Sequence, residues 1–155
     1  MDAIFKKLNF KESHEAVVLH APLSFQANLT AMAGLTNIQA ELSAAGPVEF
    51  CLAFVTKPEE VDRLARALAP KLAGDSIVWF AYPKGSSKRY ACEFNRDTGW
   101  AVLGQLGLEP VRQVAIDEDW SALRFRKVEY IKKITRRESF ALTAEAKKRT
   151  TKKGE

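Results

Sequence analysis

The residues best suited to chemistry here are cations and hydroxyls grouped around predicted strand ends. Lys84-Gly-Ser-Ser-Lys-Arg89 puts three cations, two hydroxyls and one glycine backbone within six residues. That set can hold a phosphate or another anion by charge and by N–H and O–H donation. His20 and Ser24 stand beyond another predicted strand, Thr56 beyond a third, and Arg96 and Trp100 shortly after the basic loop. Together, His20, Ser24, Thr56, Lys84, Ser86, Ser87, Lys88, Arg89, Arg96 and Trp100 form a candidate anion crevice nearly without carboxylates. No Gly-x-x-x-x-Gly-Lys-Ser/Thr phosphate loop occurs. His20 is placed for general-base work but has no carboxylate or nucleophile partner evident in sequence, which favours a structural histidine. His14 reads as exposed. Two histidines and the separate Cys51 and Cys92 give no metal-ligand spacing, and Cys92, beside Glu93, has no cation to favour its thiolate. Arg124 and Arg126, two apart in a strand, share a face. They either pair with Asp117, Glu118 or Asp119, or line a second anion site with Trp120. Trp79, Trp100 and Trp120 read as core or core edge.

The elements that position these residues follow from pattern. Asp2 is placed to cap a short helix through Leu8. Ala16–Ala21 is an apolar strand stopped by Pro22, and Ser24 opens a helix to about Ala33, closed by Gly34. Thr36–Leu42 and Val48–Val55 read as strands, the latter apolar enough for a parallel strand covered on both faces. Thr56-Lys-Pro-Glu59 reads as a capping box for a helix whose buried face is Val61, Leu64, Ala65, Leu68 and Leu72, stopped by Gly74. Asp75–Tyr82 is a fourth strand. Asp97 caps a helix through Leu106, closed by Gly107. Val111–Ile116 and Ser121–Val128 are the last strands, joined too tightly for a crossover and therefore antiparallel. A further helix over Ser139–Arg149 is predicted.

Length and charge set the frame. The 155 residues suit one domain, with 46% hydrophobic and 28% charged residues, a composition outside the disordered class. The longest apolar runs are strand-length, which predicts no membrane span. The N-terminal residues lack the pattern of a secretory leader, and two cysteines cannot build a disulfide framework, so free thiols in a cytoplasmic protein are expected. Residues 132–155 hold nine basic and three acidic residues, while the preceding 131 are nearly neutral, with fifteen basic and sixteen acidic. The net charge of +5 therefore belongs to the tail. A sequence-independent electrostatic arm for nucleic acid is one role for such a tail, and a solubilising end is the other.

From Phe50 onward, a strand ending in Ala53-Phe-Val-Thr56, a long helix, a strand running into Tyr82-Pro-Lys84, a helix and a closing antiparallel hairpin together resemble the second half of a class I methyltransferase. Trp79-Phe-Ala-Tyr-Pro-Lys84, Asn95-Arg-Asp-Thr-Gly-Trp100 and Trp120-Ser-Ala-Leu-Arg-Phe-Arg126 are similar to segments of a bacterial family of degenerate methyltransferase-like domains. The resemblance spans roughly residues 8 to 128 and implies no established activity. It also implies where a cofactor would lie: on a glycine-rich turn after the first strand, with an acid some twenty residues later on the ribose. Here that turn is His20-Ala-Pro-Leu-Ser24, without glycine, and Glu41 stands at the acid's distance. The Asp/Asn-Pro-Pro-Tyr motif of amino-group methyltransferases is missing after Val55.

These observations predict an α/β protein: a small Rossmann-like, mostly parallel sheet of about six strands over residues 1–131, helices on both faces, the last strand antiparallel, and a basic tail over 132–155. They favour a non-catalytic binding or regulatory domain with an anion crevice and no cofactor, its partner a phosphate-bearing ligand or nucleic acid, with no membrane. The alternatives are a divergent S-adenosylmethionine-dependent methyltransferase or small-molecule transferase, and a nucleic-acid-binding protein acting through the tail.

Overall fold

A computed structural model describes residues 1–13, 15–42, 47–95 and 98–131. Asp2 accepts hydrogen bonds from the Ile4 and Phe5 amides and so starts α1 (Ala3–Lys7). Next come β1 (Glu15–Leu19), α2 (Gln26–Met32), β2 (Asn37–Gln39), β3 (Val48–Phe54), α3 (Pro58–Leu68) and β4 (Leu72–Pro83). The chain continues through α4 (Ala101–Gln105), β5 (Leu108–Ala115) and β6 (Trp120–Lys127). The six strands form one sheet in the order β2-β1-β3-β4-β6-β5. β1 to β4 pair in parallel, and β6 runs antiparallel to both β4 and β5. The predicted α/β fold and antiparallel last strand are present as expected.

Strand alternation divides the core into two layers. On one face, Phe5 of α1, Leu8 at its end, Phe25, and Met32 of α2 pack on Phe50, Leu52, Phe54 and Trp79. On the other, Val61, Leu64, Ala65 and Leu68 of α3 and Leu103 of α4 cover Cys51, Val78, Phe80 and Phe125. Trp79 is fully buried, and its indole donates to the Leu8 carbonyl at 2.8 Å, tying α1 to the sheet centre.

Several elements differ from the sequence reading for local reasons. Ser24 caps nothing: residues 23–25 form a 3₁₀ turn, and α2 starts behind it. Gly34 nonetheless takes the left-handed conformation (φ 93°) just after that helix. The helix predicted to reach Leu72 stops at Leu68, because Pro70, which lacks an N–H, sits in a 3₁₀ turn; Leu72 instead opens β4. Gly74 (φ 58°) ends no helix; it lies in a bulge where Val48 pairs with Leu72 but Phe50 with Ile77. Ser76 staples that bulge, donating to the Val48 carbonyl at 2.7 Å. The predicted Thr36–Leu42 strand shortens to three residues at the sheet edge. Asp97, His14 and the tail with its predicted helix lie outside the described residues. No helix among the described residues is long and apolar enough to cross a membrane.

Candidate functional site

The strand order reverses direction at β1: α2 carries the chain to β2 on one side, and β3 lies on the other. In open α/β sheets the crevice beyond the carboxyl ends at such a switch is where ligands sit. His20 follows β1, Thr56 follows β3, and Lys84 follows β4, so the fold does bring these residues to one edge.

His20 is the most constrained of them. Its φ of 56° is left-handed, a conformation that costs an L-residue energy and that glycine adopts freely. The sequence left this histidine without a carboxylate; the structure supplies Glu60, whose Oε2 lies 3.9 Å from His20 Nδ1. That separation suits an ion pair once the imidazole is protonated and is too long for a hydrogen bond. Glu60 Oε1 accepts from the Thr56 amide at 2.9 Å, the Thr56 hydroxyl at 3.0 Å and the Lys57 amide at 3.1 Å. The expected box between Thr56 and Glu59 is therefore displaced by one residue: Glu60 reaches back, and the Thr56 hydroxyl donates to it. Partial burial raises the Glu60 carboxyl, but the Thr56 and Lys57 donors and the nearby His20 outweigh it and hold the group below the ordinary glutamate range. Cys92 faces the same end and is pushed up, chiefly by burial and also by Glu93 and Glu60, as its acidic neighbour predicted. Cys51 is fully buried and its thiol is pushed up to about 12 by desolvation.

The basic loop folds over the far side of this edge. The Lys84 amide donates to the Asp119 carbonyl at 2.7 Å, and the Ser87 hydroxyl donates to Asp119 Oδ1 at 2.9 Å while accepting from the Tyr90 amide. Ser87 is thus structural, and the edge is not free of carboxylates, since Asp119 and Glu60 both stand on it. Tyr90 lays its ring against Trp120, centroids 4.9 Å apart, and Trp120 also meets Phe54 edge-on at 5.1 Å. Lys88, Arg89 and Ser86 are exposed and Lys84 half-buried. Trp100 is buried on the opposite layer among Phe80, Tyr82, Phe94 and Phe125, its indole donating to the Asn95 carbonyl, which removes it from the candidate set. Arg96 lies outside the described residues. Trp120 is 3% exposed, and its Nε1 finds no acceptor among the described residues. A buried indole N–H without an acceptor is costly, and no sequence pattern signals it.

The second predicted group separates. Trp120 pairs with Pro83 at the crevice edge, whereas Arg126 lies six residues along β6 toward the other edge, so they form no common site. Arg126 pairs with none of the hairpin acids; it forms a two-pronged ion pair with Asp75, Nε to Oδ1 at 2.8 Å and Nη2 to Oδ2 at 2.6 Å.

No family model matches the sequence, and no curated protein does. Solved structures do match in fold. A SAM-dependent methyltransferase from Aquifex aeolicus superposes with a TM-score of 0.53 at 12% identity, over 81% of this chain and 88% of that one. The pyocyanin biosynthetic protein PhzM superposes with a TM-score of 0.50 at 14% identity, over 81% of this chain and 53% of that one. The chain has the Rossmann-like fold of S-adenosylmethionine-dependent methyltransferases.

The residues of the turn do not fit S-adenosylmethionine held as a glycine turn holds it. His20 carries a side chain where the backbone would have to approach the ligand, and Pro22 has no N–H to offer. Among the described residues no group of three His, Cys, Asp or Glu gathers to hold a metal ion.

Proposed function

We propose that this chain is a binding domain on the methyltransferase fold, whose crevice takes a phosphate-bearing small molecule beneath the Lys84–Tyr90 loop. The observation that carries it is the Trp120 indole. A buried donor without an acceptor lies under a loop that bears Lys84, Lys88 and Arg89, so an anionic ligand would supply both the missing acceptor and the countercharge. Calorimetric titration of the full chain with pyrophosphate at fixed ionic strength tests it. Affinity should fall about tenfold in Trp120→Phe and at least as much in the Lys88→Gln/Arg89→Gln double variant, the worth of one charge-assisted hydrogen bond each. Unchanged affinity in both variants would remove the crevice as the anion site.

A second reading, a divergent S-adenosylmethionine-dependent methyltransferase, is favoured by the shared fold and by two particular residues. His20 keeps the glycine-like backbone conformation despite its side chain, and Glu41 stands two residues past β2, where an acid would meet a ribose. In that reading His20, beside Glu60, is the group placed to accept a proton. The nucleic-acid reading rests on the charge of residues 132–155 alone.

A further inference from the structure

From the middle of β5 and β6 toward the end away from the crevice, the sheet carries a cationic cluster that neither reading above uses. Arg124 on β6 lies in register with Trp79 of β4 on one side and with Arg112 of β5 on the other. Arg126, two residues along β6, shares its face. Lys11, four residues beyond α1, is near enough to act electrostatically on Asp75, the partner of Arg126. Among the described residues this face carries Asp75, engaged by both prongs of Arg126, and Glu109, fully buried in register with Arg126. Asp75 also acts electrostatically on Arg124, but its hydrogen bonds go to Arg126: the Arg124 Nε is buried and has no hydrogen-bond acceptor among the described residues. Burial, and the like charges of Arg126 and Arg112, push the Arg124 guanidinium below its ordinary range despite the opposing pull of Asp75. Arg112 and Arg124 stand directly opposite each other, a like-charge cross-strand pair that is destabilising unless something anionic stands between them.

We propose that Arg124 and Arg112 form an oxyanion site on the β5–β6 face, taking a group the size and charge of phosphate. The planar guanidinium presents its donors as a fork that matches tetrahedral oxyanions in pairs, and Arg112 is exposed beside it, open to approach from solvent. Asp75 sets the strength of the site. It holds Arg126 out of the cluster and adds a negative charge that an incoming anion must tolerate.

The test follows the arginine Nε–Hε resonances by NMR while the full chain is titrated with inorganic phosphate at constant ionic strength. The background is Lys88→Gln/Arg89→Gln, which removes any contribution from the crevice. The Arg124 resonance should move saturably, and Arg112→Gln, an exposed substitution with little reach into the fold, should weaken the midpoint about tenfold. Asp75→Asn should tighten it severalfold, because it releases Arg126 and removes the competing carboxylate. An Arg124 resonance that stays still, or a midpoint that neither Arg112→Gln nor Asp75→Asn changes, would overturn the assignment. Because the crevice is disabled throughout, either result leaves the pyrophosphate test of the crevice separate.

Discussion

His20 shows what a single residue decides in this fold. Its left-handed backbone keeps the turn after β1 in a shape that glycine-bearing turns reach without cost, yet its side chain fills the approach that glycine would leave open. Stability should report that conformation. His20→Val, with a β-branched side chain in the left-handed region, should lose about 1–2 kcal/mol in denaturant unfolding. His20→Gly should change stability by less than about 1 kcal/mol, since relief of strain is offset by the glycine's greater freedom in the unfolded chain. A neutral His20→Val would mean that the turn is not held this way. Nothing in the sequence announces the φ of His20. A run of Val, Leu and His before a proline reads as strand, and a positive φ arises only because β1 ends at Leu19 and the chain must turn toward α2.

The junction of β3 and α3 makes the same point for elements. The sequence Thr56-Lys-Pro-Glu-Glu60 offers two glutamates, and helical pattern alone cannot tell which one turns back to the N-terminus. With the chain entering the helix through Lys57, Glu60 is the one that meets both the Thr56 and Lys57 amides. Glu60→Gln should cost about 1 kcal/mol, the usual worth of an N-terminal cap. The pH dependence has a definite sign. Because the folded carboxyl sits below its ordinary range, its contribution is complete above the unfolded value of about 4.3 and is lost as pH falls through the lower, folded value. Wild type and Glu60→Gln should therefore differ most near neutrality and converge in acid, as urea midpoints at several pH values would show; a gap that widens in acid would contradict it. Elsewhere the elements were legible where periodicity was strong, as in the Val61–Leu68 face of α3 and the apolar β3 and β4. They were illegible where tertiary contacts decide: the bulge stapled by Ser76 to Val48, the 3₁₀ turn at Pro70, and the Arg126–Asp75 pair, whose partners stand 51 residues apart.

For the whole molecule, the sheet order separates two ends with different chemistry. The carboxyl edge joins His20, Glu60, Thr56 and the basic loop over Trp120; Arg112, Arg124 and Arg126 gather from mid-strand toward the other end of β5 and β6. Strand alternation placed Arg124 and Arg126 on one face from sequence alone. Only the three-dimensional pairing assigned Trp120 to the other edge and withdrew Ser87 and Trp100 from the ligand set. The fold is shared with S-adenosylmethionine-dependent methyltransferases, while the turn that would cradle the cofactor has a different composition, and the account depends on that contrast. Thermal unfolding of the full chain with and without about a millimolar S-adenosylhomocysteine tests it most directly. A ligand at ~100 times its dissociation constant adds about 2.7 kcal/mol to stability, well within reach of a melting scan. The two melting temperatures should coincide. A clear upward shift would contradict it and make the divergent methyltransferase the correct reading of the crevice.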